Sequence, residues 1–366
     1  MNTKVVAVVG LSRFTSPSGI CRYASNIIKM LDKIENVEVI FIIGTWQKAY
    51  FDKAFGINQL NISVRTVSIP NNSIMRNIWF LFMLPWTLAS LKVNILFLTF
   101  PIPFVKSFVR KIKVITTVHD MYAFELPDNF RFPLFNRLFT SISLNGADLI
   151  SSVSEVTTKK VKNYWPKLQN KLKTIYTPFS FTNISPSDEK DIVEKPYFLC
   201  VAQHRKNKNL DVLVKAFDNY KKTKNVSDIL IIIGNNGPET VTLMRIVGLL
   251  ESKNDIVFKN NVSENELIHY YLRTKCFVLL SSTEGLGIPL IESLYLSDAV
   301  ICTDIEVFKE IDVENCNFVP RDKLNPTFVG ELMSGKLRKN QKKGIIDSRF
   351  LFSNILKTYK NIVKEN

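Results

Sequence analysis

The sequence predicts an α/β protein of two domains, each a doubly wound parallel sheet covered by helices, facing each other across a central cleft. Short apolar runs such as Lys4–Gly10 show no polar alternation, which is typical of parallel strands buried on both faces. These runs alternate with stretches of helical periodicity, and the whole pattern occurs twice along the chain. The 366 residues are enough for two domains of ordinary size.

The first half of the chain carries five such runs, and the segments between them have room for helices. From Ile20 to Ile34, apolar residues recur at helical spacing, which predicts an amphipathic helix after the first strand. We place the N-terminal domain at residues 1–185. Its predicted strands are Lys4–Gly10, Val37–Gly44, Ile95–Thr99, Lys113–Val118 and Asp148–Val153.

A polar, proline-bounded stretch separates the two halves. Residues 178–196 lack periodicity and predict an interdomain linker. The alternation then restarts, which predicts a C-terminal domain over residues 195–349. Its predicted strands are Tyr197–Ala202, Ile229–Gly234, Cys276–Ser281 and Val300–Thr303, and its predicted helices begin near Leu210, Leu267 and Pro289.

Positive charge is concentrated in the first half. Residues 1–190 hold 23 Lys and Arg against 11 Asp and Glu, whereas residues 191–366 hold 25 against 22. This asymmetry predicts an anionic partner, with a solvated basic surface as the alternative. The apolar segment Ile78–Leu91 is 14 residues long and contains Pro85, whereas a spanning helix needs about 20 residues. It predicts a buried or surface-docking helix, with a membrane-inserted element as the alternative.

The cysteines and the start of the chain bear on the compartment. The five cysteines are scattered without a CxxC pair, and the chain has only three histidines. A zinc module and a disulfide framework are therefore disfavoured. The first apolar run is too short for the hydrophobic region of a signal peptide. We expect a cytoplasmic protein.

The strongest chemical signal is SSTEGLGIPLIE, Ser281–Glu292, which follows a predicted strand and opens a predicted helix. Its carboxylates, Glu284 and Glu292, flank a turn in which Gly285 and Gly287 let backbone N–H groups approach a polar ligand. The N-terminus of the following helix adds partial positive charge for an anion. The string predicts a ligand site at the carboxyl end of the strand.

Two other segments lie at the carboxyl ends of predicted strands. In VAQHRKNKNL, the cations Arg205, Lys206 and Lys208 crowd one loop beside a helix N-terminus, an arrangement that suits a diphosphate. An exposed basic loop without a ligand is the alternative. His119 follows the strand Lys113–Val118, at the end of the strand where such sheets bind ligands. The sequence leaves two interpretations of His119: a ligand-binding histidine or a structural one.

Taken together, these strings resemble the family-4 (group 1) retaining glycosyltransferases of the GT-B fold, which has two Rossmann-like domains. VAQHRKNKNLDVLVKAF, ILIIIGNNG and VSENELIHYYLRTKCFVLLSSTEGLGIPLIES are similar to the family's C-terminal domain. SGICRYASNI, TTVHD and GADLISSVSE are similar to motifs of its N-terminal domain. The resemblance implies that the last helix, within residues 350–366, packs on the N-terminal domain. Cys21 and Ala202 depart from the family, which often has glycine there.

The resemblance implies a donor site in the C-terminal domain. Arg205 and Lys208 resemble the pair that neutralises the diphosphate of a nucleotide sugar. Glu292 resembles the carboxylate that binds the ribose hydroxyls, and Glu284 resembles the one near the hydroxyls of the donor sugar. The resemblance also implies that the donor sugar and phosphate face the backbone of Gly285, Leu286 and Gly287.

In the N-terminal domain, the resemblance implies that Gly19 lets its loop touch the phosphate and that His119 lies near the donor sugar. Glu284, His119, Arg205 and Lys208 are then the implied catalytic residues. No cofactor is expected, because the nucleotide sugar is a substrate, and no metal is expected either. The acidic run Asp304–Glu310 also lacks the Asp-x-Asp element of metal-dependent glycosyltransferases.

The implied function is a retaining, metal-independent transfer of a sugar from a UDP- or GDP-sugar to a saccharide acceptor, expected to be lipid-linked. The implied pathway is a bacterial surface polysaccharide: O-antigen, capsule or exopolysaccharide. With such an acceptor, the basic first half predicts peripheral association with the anionic cytoplasmic face of the inner membrane. The residues of this predicted patch are Phe104, Val105, Lys106, Phe108, Arg110, Lys111 and Lys113. The Trp79–Trp86 segment is expected to add an apolar anchor.

The sequence also bears on three other functions. A non-hydrolysing sugar-nucleotide epimerase of the same fold is the alternative, although EGLGIPLIE resembles the transferase pattern. A nucleic-acid partner is not expected, because the chain shows neither an aromatic-interleaved basic face nor a known module. A dinucleotide dehydrogenase is disfavoured, because GLSRFTSPSG rather than G-x-G-x-x-G follows the first strand.

Overall fold

The computed structural model describes residues 3–16, 18–125, 133–179, 181 and 193–365. The chain forms two compact units. Unit 1 comprises Met1–Ser180 and Ser348–Asn366, and unit 2 comprises Phe181–Asp347. Most of the predicted linker, residues 178–196, lies outside the described residues.

Within the described part of unit 1, seven strands form a parallel sheet in the order β3-β2-β1-β4-β5-β6-β7. Their bounds are β1 Lys4–Val9, β2 Val37–Gly44, β3 Ser63–Val67, β4 Ile95–Leu98, β5 Lys113–Val118, β6 Leu149–Ser152 and β7 Leu172–Thr174. The central strands are almost wholly buried, since β1 and β4 expose none of Val6, Ala7 or Leu96. This burial explains their continuous apolar sequence.

Helices connect these strands. They are α1 Gly19–Leu31, α2 Thr45–Phe55, α3 Ser73–Ile78, α4 Leu84–Ser90, α5 Tyr122–Glu125, α6 Pro133–Gly146 and α7 Glu155–Tyr164. α1 begins after Ser18, whose hydroxyl accepts a hydrogen bond from the Cys21 backbone N–H. This side chain satisfies one of the N–H groups that a helix start leaves unpaired.

A π-helical segment, Trp79–Met83, joins α3 to α4. The Leu84 N–H bonds to the Trp79 carbonyl, five residues back. The following residue, Pro85, lacks an N–H group and cannot continue an ordinary helical ladder. The apolar stretch that the sequence singles out is therefore a helical segment with a π-helical part. None of the helices in the described residues has the length and apolarity required to cross a bilayer.

In the described residues of unit 2, six strands form a second parallel sheet in the order β10-β9-β8-β11-β12-β13. The strands are β8 Tyr197–Val201, β9 Ile229–Ile233, β10 Ile256–Lys259, β11 Cys276–Leu279, β12 Val300–Thr303 and β13 Asn317–Val319. The helices are α8 Leu210–Lys224, α9 Thr240–Gly248, α10 Glu264–Arg273, α11 Ile288–Leu296, α12 Glu306–Ile311 and α13 Pro326–Ser334. The strand order reverses direction between β8 and β11, which is the switch point of a doubly wound sheet.

The last helix, α14 Phe352–Lys364, belongs to unit 1 and packs on α1. The Lys4 ammonium donates to the Val363 carbonyl at 2.8 Å, and Lys113 donates to Ile362 at 3.0 Å. Tyr359 is 1% exposed, and its hydroxyl lies 3.0 Å from that of Tyr23. Two lysines of the sheet thus cap the C-terminal end of α14.

The two parallel-sheet α/β units confirm the predicted fold class. The predicted core strands and the helices near Leu210, Leu267 and Pro289 are present. The strands that the sequence did not predict, β3, β7, β10 and β13, are the edges of the two sheets. Edge strands are partly exposed, so they lack the continuous apolar run that marks a central strand.

Candidate active site

In unit 2, the two loops at the switch point carry the predicted donor-site residues. One loop follows β8 and leads into α8, and the other follows β11 and leads into α11. They are joined by hydrogen bonds from Asn207 Nδ2 to the Thr283 carbonyl at 3.1 Å and from the Ser282 N–H to the Asn207 carbonyl at 2.8 Å. Asn209 Nδ2 donates to the Leu280 carbonyl at 2.7 Å. The loops therefore form one structure at the carboxyl ends of β8 and β11.

Lys208 and Glu284 meet where these loops join. The Lys208 ammonium donates to Glu284 Oε1, which also accepts from the Ser281 hydroxyl at 2.7 Å. Their side chains are 16% and 14% exposed, so the pair is largely withdrawn from water yet still accessible. Ser281 is buried, and its carbonyl accepts from the Thr303 hydroxyl of β12. The cation and the carboxylate are thus held on a rigid base.

Arg205 and Lys206 lie on the same loop but differ from Lys208. The Arg205 side chain makes no ion pair or hydrogen bond with the residues that the structure describes, and it is half-buried. Lys206 is exposed. The loop therefore offers one cation held by a carboxylate and a second, Arg205, available to an anion.

The Gly-rich turn is fixed by its own backbone and by Phe308. Gly287 has φ +84°, a conformation that side chains other than glycine rarely adopt, and a Cβ there would lie 2.6 Å from Phe308 Cε1. Pro289 lies in the first turn of α11, a position that tolerates its missing N–H. Leu286 is 5% exposed, which anchors the turn in the core. The turn that leads from Glu284 into α11 is thereby fixed.

Glu292 lies within α11 and is 3% exposed. Its Oε2 accepts a hydrogen bond from the Tyr271 hydroxyl at 2.9 Å, and Tyr271 is fully buried on α10. A buried carboxylate requires such a donor, because an unpaired one is costly to desolvate. Tyr271 thus fixes one carboxylate oxygen.

His204 ties the basic loop to the neighbouring loop after β9. Its Nδ1 lies 3.0 Å from the Thr240 hydroxyl, which accepts from the Gly237 N–H at 2.9 Å. A Cβ on Gly237 would lie 2.2 Å from the His204 carbonyl, so only glycine fits this close approach. Burial lowers the pKa of His204, which favours the neutral ring.

In unit 1, His119 lies at the carboxyl end of β5. Its Nε2 is 2.7 Å from the Thr99 carbonyl, which only accepts, so Nε2 carries the proton. Burial lowers the pKa of His119, against the opposing effects of the Thr99 carbonyl and Asp120. The neutral ring therefore keeps Nδ1 as an acceptor. The Tyr23 ring packs edge-on against it, with centroids 4.6 Å apart.

Gly19 and Cys21 occupy the first turn of α1. A Cβ at Gly19 would meet no atom within 4 Å, so the protein itself leaves that space open. Cys21 is 1% exposed, and its sulfur lies 3.2 Å from both the Ser18 and Tyr50 hydroxyls. Cys21 therefore packs beneath the turn.

The sequence did not single out several residues that hold these groups. Tyr271 belongs to the helix predicted near Leu267, and nothing in its spacing indicates that it reaches Glu292. Ser281 and Asn207 lie inside the strings quoted above, but polar residues are common in loops. Ser281 bonds to Glu284 within its own loop, whereas Asn207 bonds to Thr283, 76 residues away. Tyr23 and Tyr359 are 336 residues apart, so sequence alone could not pair them.

Comparison with known families accounts for most of the chain. Residues 17–180 match the model of Glycosyltransferase Family 4, and residues 184–319 match that of Glycosyl transferases group 1. The chain belongs to the group 1, family-4 glycosyltransferases. The predicted family and enzyme class are thus confirmed. The first family match lies within unit 1, and the second lies within unit 2. The sugar-nucleotide epimerase is not favoured.

Curated relatives of this glycosyltransferase align over part of their length. The O-antigen chain mannosyltransferase RfbU of Salmonella typhimurium is 29% identical over 206 residues, which is 56% of each protein. An N-acetylgalactosaminyltransferase of Campylobacter jejuni, named for a diphospho-undecaprenol acceptor, is 29% identical over 52% of this chain and 49% of its own. The chain thus spans about half the length of these relatives.

Solved structures support the fold. Anabaena Alr3699/HepE, in complex with UDP and glucose, superposes with a TM-score of 0.72 at 14% identity, covering 98% of this glycosyltransferase and 99% of that chain. WaaG, involved in lipopolysaccharide biosynthesis, gives 0.70 at 12% identity over 97% and 95%. At these identities the similarity concerns the fold.

Proposed function

We propose that the protein is a retaining glycosyltransferase that moves a sugar from a nucleotide-diphosphate donor to a saccharide acceptor. The observation that carries this proposal is the contact between Lys208 and Glu284 at the switch point of unit 2, where the loop of Glu284 leads into α11. Open parallel sheets bind ligands at this place. Names of relatives support the proposal, since they include mannosyl- and N-acetylgalactosaminyltransferases.

The chemistry follows from the charges of the loops. Breaking the bond between sugar and diphosphate develops negative charge on the leaving phosphate, which prepositioned cations and N–H dipoles stabilise. Lys208 and Arg205 supply the cations, and the turn Gly285–Gly287 supplies backbone N–H groups. In this proposal the donor phosphate replaces Glu284 as the partner of Lys208, and Glu284 turns to the sugar hydroxyls.

The remaining polar groups have separate roles. Glu292, with one oxygen held by Tyr271, accepts hydrogen bonds from the ribose hydroxyls. Neutral His119 accepts from a sugar hydroxyl through Nδ1, and Gly19 leaves room for the phosphate. The cations serve the diphosphate in place of a metal, so transfer is proposed to be metal-independent.

The acceptor is proposed to be a lipid-linked saccharide of a bacterial surface polysaccharide. Support comes from relatives named for O-antigen chains and for a diphospho-undecaprenol acceptor. Such an acceptor would place the enzyme on the cytoplasmic face of the inner membrane. The proposed compartment is accordingly the cytoplasm.

A thermal-shift screen with nucleoside diphosphates and nucleotide sugars tests the donor site. The true donor should raise the melting temperature, because it binds only the folded state. Lys208→Ala should abolish the shift, whereas Lys253→Ala, an exposed lysine of the same unit, should not. An equal shift for Lys208→Ala and the parent protein would contradict the proposed diphosphate site.

Product analysis tests the reaction itself. Incubation of the identified donor with saccharide acceptors should give a glycoside whose anomeric configuration, read by NMR, matches that of the donor. Excess EDTA should leave the rate unchanged. Isomerised donor without transfer would indicate the epimerase, and inverted product would refute the retaining mechanism.

A further inference from the structure

One face of unit 1 exposes large apolar side chains that a water-facing surface seldom gathers together. Along α3, the π segment and α4, one side is buried in the core through Trp79, Phe80, Leu84 and Leu88. The other side exposes Ile74, Ile78, Phe82, Met83 and Trp86, with exposed fractions of 44–78%. Isolated exposed apolar residues are ordinary, but a continuous helical face of them marks an interaction surface.

A second segment extends this face. The turn Lys106–Val109 packs against α4 and buries Val109 in the same core. Its Phe108 is 64% exposed, and Arg110 and Lys111, which follow it, are exposed as well. We define the docking face by its apolar and cationic members: Ile74, Ile78, Phe82, Met83, Trp86, Phe108, Lys92, Arg110 and Lys111.

The structure refines the basic patch that the sequence predicts. Phe104 is 1% exposed and belongs to the core. Lys106 pairs with Asp148, and Lys113 donates to carbonyls at the end of α14. Of that patch, Phe108, Arg110 and Lys111 remain directed to solvent. Trp79 is likewise buried, so Trp86 supplies the indole of the docking face.

The charge pattern around this face identifies the partner. No Asp or Glu lies between Asp52 and Asp120, whereas this interval holds eight Lys and Arg. An apolar face with Trp and Phe that carries the exposed cations Lys92, Arg110 and Lys111 complements the headgroup region of an anionic bilayer. A symmetric dimer through the same face would bring the cations of two copies together. We propose that the docking face binds anionic lipid membranes, with its apolar side chains inserted at headgroup level.

Membrane binding by this face does not depend on the donor site. It extends the proposed function, because it would present unit 1 to acceptors that are carried on lipid. It needs neither a nucleotide nor an acceptor, however. Failure of one proposal therefore leaves the other open to its own test.

Co-sedimentation of the full chain with vesicles tests the proposal. The protein should sediment with vesicles of phosphatidylglycerol and phosphatidylethanolamine and much less with phosphatidylcholine alone. Arg110→Gln with Lys111→Gln should weaken binding about fivefold for each charge removed. Phe82→Ser with Trp86→Ser should weaken it about tenfold or more. The control, Leu249→Ser with Lys253→Gln, removes an exposed apolar residue and a cation from unit 2 and should have no effect.

Several outcomes would overturn the proposal. One is equal binding by the control and the docking-face variants, and another is equal binding of the parent protein to neutral and anionic vesicles. If Phe82→Ser with Trp86→Ser converts a dimer to a monomer in analytical ultracentrifugation while vesicle binding persists, a second copy covers the face instead. An unchanged melting temperature and nucleotide-induced shift will show that each variant is folded.

Discussion

The pair formed by Lys208 and Glu284 should contribute to the stability of unit 2 in the absence of donor. Lys208→Met keeps most of the side-chain volume but leaves Glu284 with the Ser281 hydroxyl as its neutral partner. Breaking a fully buried pair costs about 3–5 kcal/mol. Because these side chains are 16% and 14% exposed, we expect a loss of about 2–3 kcal/mol.

The positions of the tryptophans make this measurable. All four, Trp46, Trp79, Trp86 and Trp165, belong to unit 1, so tryptophan fluorescence reports unfolding of unit 1. Far-UV circular dichroism reports both units. A urea transition that shifts in circular dichroism but not in tryptophan fluorescence therefore belongs to unit 2. Fitting the two transitions separately avoids treating a two-unit chain as two-state.

A double-mutant cycle isolates the pair from its surroundings. Glu284→Gln retains an acceptor and should cost less, about 1–2 kcal/mol, and the double variant should lose less than the sum of the single losses. Lys343→Met removes an exposed pair with Asp298 in the same unit and should cost below about 0.5 kcal/mol. If Lys208→Met costs no more than Lys343→Met, or if the losses add, the pair does not stabilise unit 2.

Three other substitutions test the groups around the site. Tyr271→Phe removes the donor to Glu292 and should weaken nucleotide binding by about threefold to tenfold in calorimetry, and unchanged binding would contradict a positioning role. Gly287→Ala should destabilise unit 2 by about 1–3 kcal/mol in urea, whereas Gly248→Ala, which meets no atom within 4 Å, should not. Burial lowers the pKa of His204 in the folded protein, so just below pH 6.5 a proton binds to this histidine in the unfolded chain but not in the folded one. The free energy of unfolding should therefore decrease as the pH falls through this range, by at most about 1.4 kcal/mol per pH unit. In the same urea assay, His204→Gln should reduce the loss of stability between about pH 7.5 and about pH 5.5. An unaltered pH dependence of the free energy of unfolding would show that other groups cause this loss.

The sequence predicted the core of each sheet because central parallel strands must be apolar on both faces. Strands such as Val37–Gly44 and Ile229–Ile233 carry that requirement in consecutive residues. It could not predict β13, of three residues, whose position depends on its pairing with β12. The sequence also could not predict the π-helical segment Trp79–Met83, although Pro85 indicated that a regular helix could not run through this stretch.

For the site, the sequence identified the groups that carry charge but not the partners that hold them. Lys208 and Glu284 come from loops that follow different strands, and their contact depends on the adjacency of β8 and β11 in the sheet. The partner of Glu292 comes from another helix. Such contacts are set by three-dimensional packing, so a linear pattern contains no signal for them.

The membership of α14 in unit 1 has a consequence for biosynthesis. The ribosome completes the first 180 residues of this unit long before it reaches Phe352–Lys364, and at about 5–20 residues per second the delay is roughly 10–40 s. During that interval the Tyr23 hydroxyl lacks its Tyr359 partner, and the side of α1 that packs on α14 has no helix to cover it. Unit 2 is continuous in the chain, so we expect it to be the first to finish folding on the nascent polypeptide, with unit 1 completed only after α14 has emerged from the ribosome.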